Sequence, residues 1–233
     1  MSGVAIVLAG GSSSRLGSDR NKPYLSVGGR PLIWYPLVAL AQSQVEEVVL
    51  VIRTIDRPSV DEAITSTGIA KLMSVVEGGT TRTASEHAGL AALAEIDVDV
   101  IMIHDAARPF VTPTMIDRLA STARSIGGAV PVLDPNVTPW RLVDEQLHPT
   151  RGLVRAQTPQ AFRSEPLRAA YNAAARAGAT GADTVDIVQR FGNLDIAAVE
   201  GDPRAFKVTH PDDLVTAEAV AVSWITELGG AQT

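Results

Sequence analysis

The sequence predicts an α/β fold, a mostly parallel twisted sheet with helices on both faces. Three observations lead there. Short apolar runs alternate with longer amphipathic segments along the chain. The apolar runs are mostly continuous rather than alternating, as strands covered on both faces require. Repeated strand–helix alternation builds a parallel sheet flanked by its crossover helices.

The strand-like runs are Val4–Ala9, Val48–Arg53, Leu72–Glu77, Val98–His104, Ala129–Leu133 and Ile196–Glu200. The helix-like stretches are Pro31–Gln42, Pro58–Ser66, Thr83–Glu95, Pro113–Ser125, Glu165–Ala177, Thr184–Phe191 and Pro211–Leu228. Pro113 and Pro211 sit at first-turn positions, with Thr112 and His210 before them. The segment Asp134–Gln157 breaks the alternation with Pro135, Pro139, Pro149 and mixed charges. It reads as an excursion at about 134–157, a β-arm or a surface loop, on a single domain spanning 1–233.

The 233 residues suffice for a substantial core, and 45% hydrophobic with 20% charged is ordinary for a soluble protein. No cysteine is present, which excludes disulfides, thiolate metal sites and cysteine nucleophiles. No apolar run approaches ~20 residues, so no transmembrane helix is expected. Met1-Ser2-Gly3 has neither a basic region nor a cleavage site, and the cytoplasm is the expected location. The net charge of −6 argues against extended nucleic-acid binding. It still allows a local cluster of cations around one triphosphate.

Five segments carry chemistry. The first, Leu8-Ala9-Gly10-Gly11-Ser12-Ser13-Ser14-Arg15-Leu16-Gly17 followed by Asn21-Lys22-Pro23, leaves the carboxyl end of a buried strand. Open α/β sheets bind ligands there, glycines let backbone approach phosphates, and N–H groups cradle anionic oxygens. Arg15 adds a fixed fork and Lys22 a mobile point charge. The spacing matches neither the P-loop nor the dinucleotide fingerprint, which counts against an oxidoreductase. The second, His104-Asp105-Ala106-Ala107-Arg108-Pro109, ends an apolar strand on the same sheet edge. Asp105 suits Mg²⁺, which takes one or two carboxylates with phosphate oxygens, and Arg108 suits a phosphate; the pair equally reads as a capped turn.

The third segment, Glu77-Gly78-Gly79-Thr80-Thr81-Arg82-Thr83-Ala84-Ser85, allows close backbone approach to a flat base and equally reads as a strand–helix turn with an N-cap. The fourth, Ala205-Phe206-Lys207-Val208-Thr209, puts one lysine on a short strand before a helix. The fifth runs from Arg151 through Thr158-Pro159-Gln160 to Phe162 and reads by itself as a turn with basic residues.

In this order and spacing, over about Val4 to Val222, the five segments resemble the 2-C-methyl-D-erythritol 4-phosphate cytidylyltransferases of isoprenoid precursor synthesis and their relatives, the ribitol-5-phosphate cytidylyltransferases. The resemblance implies a Rossmann-like domain with a protruding β-arm and a homodimer through the arms. It implies CTP as co-substrate, a polyol phosphate acceptor and Mg²⁺. The family's transition-state-stabilising arginine and lysine fall on Arg15 and Lys22, its metal aspartate on Asp105, and its substrate-positioning lysine on Lys207. Nucleotide contacts fall on Leu8, Ala9, Gly10, Gly11, Ser13, Gly78, Gly79, Thr80 and Ser85. Acceptor contacts fall on Asp105, Arg108, Thr158 and Lys207. The arm's arginine falls on Thr150, so Arg151 takes that role only with a one-residue slip. Other departures are Thr80, Pro135-Asn136 and Ala182-Asp183, most of them on the acceptor side. The competing readings are a cytidylyltransferase for ribitol 5-phosphate or another polyol phosphate, and a nucleotide-binding protein without catalysis.

Overall fold

In a computed structural model, which describes residues 3–11, 21–67, 69 and 71–230, the alternation resolves into strands and helices in chain order. They are β1 (Gly3–Leu8), β2 (Ser26–Val27), β3 (Arg30–Pro31), α1 (Trp34–Gln42), β4 (Glu47–Ile52), α2 (Arg57–Thr67), β5 (Leu72–Glu77), α3 (Arg82–Ala92), β6 (Val100–Asp105), α4 (Pro113–Ile126), β7 (Gly127–Leu133), β8 (Trp140–Val143), β9 (Gln146–Pro149), β10 (Arg155–Ala156), β11 (Gln160–Arg163), α5 (Ser164–Arg176), α6 (Thr184–Phe191), β12 (Asp195–Glu200) and α7 (Pro211–Gly230).

The central sheet runs β7-β11-β6-β1-β4-β5, with β12 and the short β10 also on β7. β1 pairs in parallel with β4 and β6, β4 with β5, and β7 with β12. β10 and β11 run antiparallel. The mostly parallel α/β architecture is therefore as the sequence predicts. Strand β11 is an addition. Its four residues, Gln160-Ala161-Phe162-Arg163, carry too little apolar pattern to announce a strand, yet they bridge β6 and β7. Their neighbours supply the burial that their own composition does not show.

Alternate residues along the strands feed two cores. Ala5, Val7, Val48, Leu50, Val100 and Met102 pack with residues of α1, α4 and α7. Val4, Ile6, Val49, Val51, Ile101 and Ile103 pack with residues of α3, α5 and α6. Both faces are apolar, which is why the strands read as continuous apolar runs. Thr112 caps α4 by accepting from the Met115 N–H, with Pro113 at the first position. Ahead of α7 the residue that satisfies the free amides is Asp213, which accepts from the N–H groups of Thr209 and His210. Helix α1 starts at Trp34 rather than Pro31, because Arg30–Pro31 pairs with Ser26–Val27.

The excursion is an arm built on the hairpin β8–β9, turned at Asp144 and Glu145, both at positive φ as a twisted two-residue turn requires. Its strands are exposed on every residue. Among the described residues no helix is long and apolar enough to cross a membrane.

Helix α3 lies close against the sheet at Gly89, where a Cβ would stand 2.5 Å from Ile6 Cγ2 and 3.1 Å from Val51 Cγ2. Both neighbours are buried strand residues. Alanine has the better helix propensity by about 1 kcal/mol. The overpacking costs about 1–3 kcal/mol in a filled core. We expect Gly89→Ala to lower the melting temperature, measured by circular dichroism.

Candidate active site

The chain passes from β1 to β4 and β5 on one side, then returns to place β6 on the other side of β1. The order reverses at β1, so a crevice opens outside the carboxyl ends of β1 and β6. The loops that leave those strands carry the first two segments singled out in the sequence. A cavity of about 450 Å³ lies there, lined by Gly10, Lys22, Arg53, Thr80, Arg82, Asp105, Lys207 and their neighbours.

Asp105 ends β6 and is the one carboxylate among the cavity's lining residues. Lys207 Nζ lies 2.7 Å from its Oδ2, and Arg82 Nη1 lies 3.2 Å from its Oδ1. Burial by itself would raise the Asp105 pKa. The charges of Arg82 and Lys207, with the Lys207 hydrogen bond, outweigh burial and hold it well below the usual carboxylate range. Lys207 reaches the site from a loop rather than the short strand expected, anchored by the Val208 N–H on the Ala107 carbonyl at 2.9 Å.

Beneath Asp105 the hydrogen bonds fix one histidine tautomer. The Arg108 carbonyl, 3.1 Å from His104 Nε2, can only accept, so Nε2 carries the proton. Nδ1 then accepts from the Thr158 hydroxyl at 3.1 Å. That hydroxyl accepts from the Asp105 N–H at 3.0 Å. Burial, with a push from Arg108, brings the His104 pKa down to about 4 against the pull of Asp105. The ring is neutral near pH 7 and serves as a rigid peg under the strand end.

Arg82 opens α3, capped by Thr81, and spans two carboxylates. Behind it Glu86, fully buried, lies 3.3 Å from Arg82 Nη2 and accepts from Tyr171 and Thr184, each at 2.7 Å. Burial raises the Glu86 pKa, and Arg82 opposes that rise. On the other side of the cavity Asn21 donates to the Ala9 carbonyl at 3.1 Å and to Asp56 at 2.8 Å, and accepts from the Lys22 N–H at 2.9 Å. Lys22 thereby starts from a fixed point on the β1 loop.

Of the residues singled out in the sequence, the cavity brings together Leu8, Gly10, Gly11, Lys22, Gly79, Thr80, Ser85, Asp105 and Lys207. Ala9 and Gly78 lie just behind it, their N–H groups bonded to the Val51 and Ile52 carbonyls. Ser85 donates to the carbonyls of Thr81 and Gly79. Arg108 turns to the carbonyls of Ala205, at 3.0 Å, and Ala156, at 3.4 Å. Thr158 is buried with its hydroxyl engaged, and Arg151 is exposed just past the β8–β9 hairpin; neither lines the cavity. Ser13 and Arg15 lie outside the described residues. Sequence reasoning assigned no role to Arg53, Arg82 or Glu86. Arg53 carried a usable signal, a cation closing an apolar strand, and Arg82 another, a cation after a glycine pair.

A family model described as 2-C-methyl-D-erythritol 4-phosphate cytidylyltransferase matches residues 4–223. The chain belongs to this family. A relative of that name from Thermotoga neapolitana is 37% identical over 95% of this chain and 97% of its own. Another from Geobacillus kaustophilus is 35% identical over 96% of this chain and 98% of its own. The crystal structure of the Thermus thermophilus 2-C-methyl-D-erythritol 4-phosphate cytidylyltransferase superposes with a TM-score of 0.78 at 34% identity, covering 95% of this chain and 99% of that one. The mostly parallel α/β fold is thus shared with that structure.

The depressed His104 pKa links stability to pH. Between about pH 6.5 and 4 the unfolded chain binds a proton that the folded chain refuses. Stability therefore falls on acidification through that window, by at most ~1.4 kcal/mol per pH unit from this group. His104→Asn keeps an acceptor for Thr158 and lacks the titration. Urea unfolding at pH 7 and pH 5 is expected to show a smaller loss for the variant than for the wild type.

Proposed function

We propose that the protein transfers the cytidylyl group of CTP to 2-C-methyl-D-erythritol 4-phosphate, giving 4-diphosphocytidyl-2-C-methyl-D-erythritol and pyrophosphate, a step of isoprenoid precursor synthesis in the cytoplasm. The observation that carries this reading is the convergence of Lys22, Asp105 and Lys207 in one crevice at the β1 and β6 loop ends, in a chain of this family. The whole chain acts as a single nucleotidyltransferase domain with its arm.

The acceptor phosphate is itself the nucleophile, so no side-chain nucleophile is required. One of its oxygens attacks the α-phosphorus in line, a new P–O bond forms, and the bond to the β-phosphate breaks. Catalysis is positioning and charge stabilisation. Lys22, with Arg15 of the same loop, neutralises charge growing on the α-phosphoryl group and the leaving pyrophosphate. Lys207, 45% exposed at its side chain, draws the acceptor phosphate toward the donor and offsets the repulsion between two anions.

A divalent metal fits the donor set in one respect. Among the described residues no three acidic or histidine side chains group together, but Mg²⁺ needs only one or two carboxylates when phosphates complete its shell. Asp105 would hold it, and when bound it supplies neutralisation of the triphosphate.

The arm supports a homodimer. Leu142 and Leu147 face each other across β8–β9 and, with Trp140, stay exposed. A hairpin presenting such residues is covered by a second chain.

Four measurements test these readings. Pyrophosphate release with CTP, scored over methylerythritol 4-phosphate, ribitol 5-phosphate and other polyol phosphates, is expected to be fastest with the first; a clear preference for ribitol 5-phosphate reassigns the acceptor. Lys22→Ala is expected to lower kcat by about 10²-fold or more while CTP affinity changes far less; near-normal turnover sinks the assignment. Lys207→Ala is expected to raise KM for the acceptor more than for CTP. Leu142→Asp with Leu147→Asp is expected to shift the sedimentation coefficient from dimer to monomer.

A further inference from the structure

Arg53 stands just past the end of β4 and lines the cavity, its side chain 39% exposed. Nothing in the phosphate chemistry above uses it. Its guanidinium is held as a rigid fork: Nε donates to Asp56 Oδ2 and Nη2 to Asp56 Oδ1, both at 2.7 Å. Asp56 is buried and is pinned in turn by Asn21 at 2.8 Å. Arg53 Nη1 takes no partner among the described residues.

The order of strands places this fork along the length of a bound nucleotide. At the carboxyl edge the order is Asp105 ending β6, Ala9 to Gly11 after β1, Arg53 after β4, and Gly78 with Gly79 after β5. Neighbouring strands are about 4.8 Å apart, so Arg53 lies roughly 10 Å along the edge from Asp105. That matches the reach of a nucleoside from phosphorus to base. The stem of Arg53 lies between two glycine turns. A Cβ on Gly10 would stand 3.8 Å from Arg53 Cγ, and the Gly78 N–H bonds the Ile52 carbonyl at 2.7 Å. Gly10 and Gly11 of the first turn and Gly79 of the second line the same cavity as Arg53.

Charge decides which part of the nucleotide the fork serves. Paired two-pronged with Asp56, Arg53 offers donors with its net charge compensated. Such a group suits a neutral acceptor better than a phosphate, and Lys22 and Lys207 already bring cations to the phosphates. We propose that Arg53, oriented by Asp56, reads the pyrimidine base of the nucleotide donor by donating to the ring acceptor that cytosine carries at N3. Uracil carries an N–H at that position, which would face the Arg53 donor and repel it. The inference rests on CTP being the donor and adds a residue that sets its base preference.

The test is calorimetric titration of CTP and UTP, without acceptor, into the wild type, Arg53→Gln and Arg53→Lys. The wild type is expected to prefer CTP. Both variants are expected to bind CTP roughly tenfold more weakly, with UTP affinity changed less than about twofold, so that the preference collapses. Arg53→Gln removes the ion partner of a buried aspartate; Arg53→Lys keeps that charge and loses only the fork, so it serves if the glutamine variant does not fold. An equal loss for both nucleotides overturns the proposal by placing Arg53 on phosphate or ribose. An unchanged preference in Arg53→Lys overturns it as well. A wild type that binds neither nucleotide sinks the cytidylyl reading itself, an outcome distinct from CTP binding with unaltered preference.

Discussion

A single carboxylate held between two cations organises the crevice. Asp105 is mostly buried, and a charge in that position is costly unless it is paired. Arg82 comes from the start of α3 and Lys207 from the loop before α7, so the pairing ties two distant parts of the chain to the end of β6. Below it, the buried His104–Thr158 chain satisfies the strand-end amide. Asp105 draws on both cations, and the Thr158 hydroxyl is shared between the Asp105 amide and the His104 ring, so these groups are mutually dependent.

The same logic recurs on the other wall. Asp56 compensates Arg53 and anchors Asn21, and Asn21 anchors the backbone that presents Lys22. Glu86 compensates Arg82 from behind and is itself satisfied by Tyr171 and Thr184. The cations of the cavity are thus held by second partners before any anion arrives. A pre-oriented cation contributes more to a transition state than a mobile one, because its reorganisation is already complete. The compensation also reconciles an acidic chain with an anionic substrate. The net charge of −6 belongs to the whole chain, whereas the crevice gathers Lys22, Arg53, Arg82 and Lys207 around one carboxylate, Asp105.

How far the sequence could be read depended on how local each signal was. Among the described residues, six of the strands and all seven α-helices announce themselves through apolar runs and periodicity in short stretches. The β1 loop, the Asp105 segment and the glycine pair at 78 and 79 are equally local, and they converge at one sheet edge. Strand β11 escaped because Gln160 and Arg163 flank only two apolar residues, and the neighbours β6 and β7 decide its conformation. The separation of Arg151 and Thr158 from the cavity could not be foreseen from spacing, since both depend on how the returning chain docks.

By itself the sequence determined the layered α/β class, the sheet edge that carries the chemistry, and the cations and carboxylate available there, because periodicity and strand-end loops are properties of short stretches. Only the tertiary structure decided which charges meet. Lys207 reaches Asp105 across 102 residues, Tyr171 reaches Glu86 across 85, and Asn21 reaches Asp56 across 35. A buried charge is stabilised by whichever partner the packing brings within hydrogen-bonding distance, and that choice belongs to the fold as a whole.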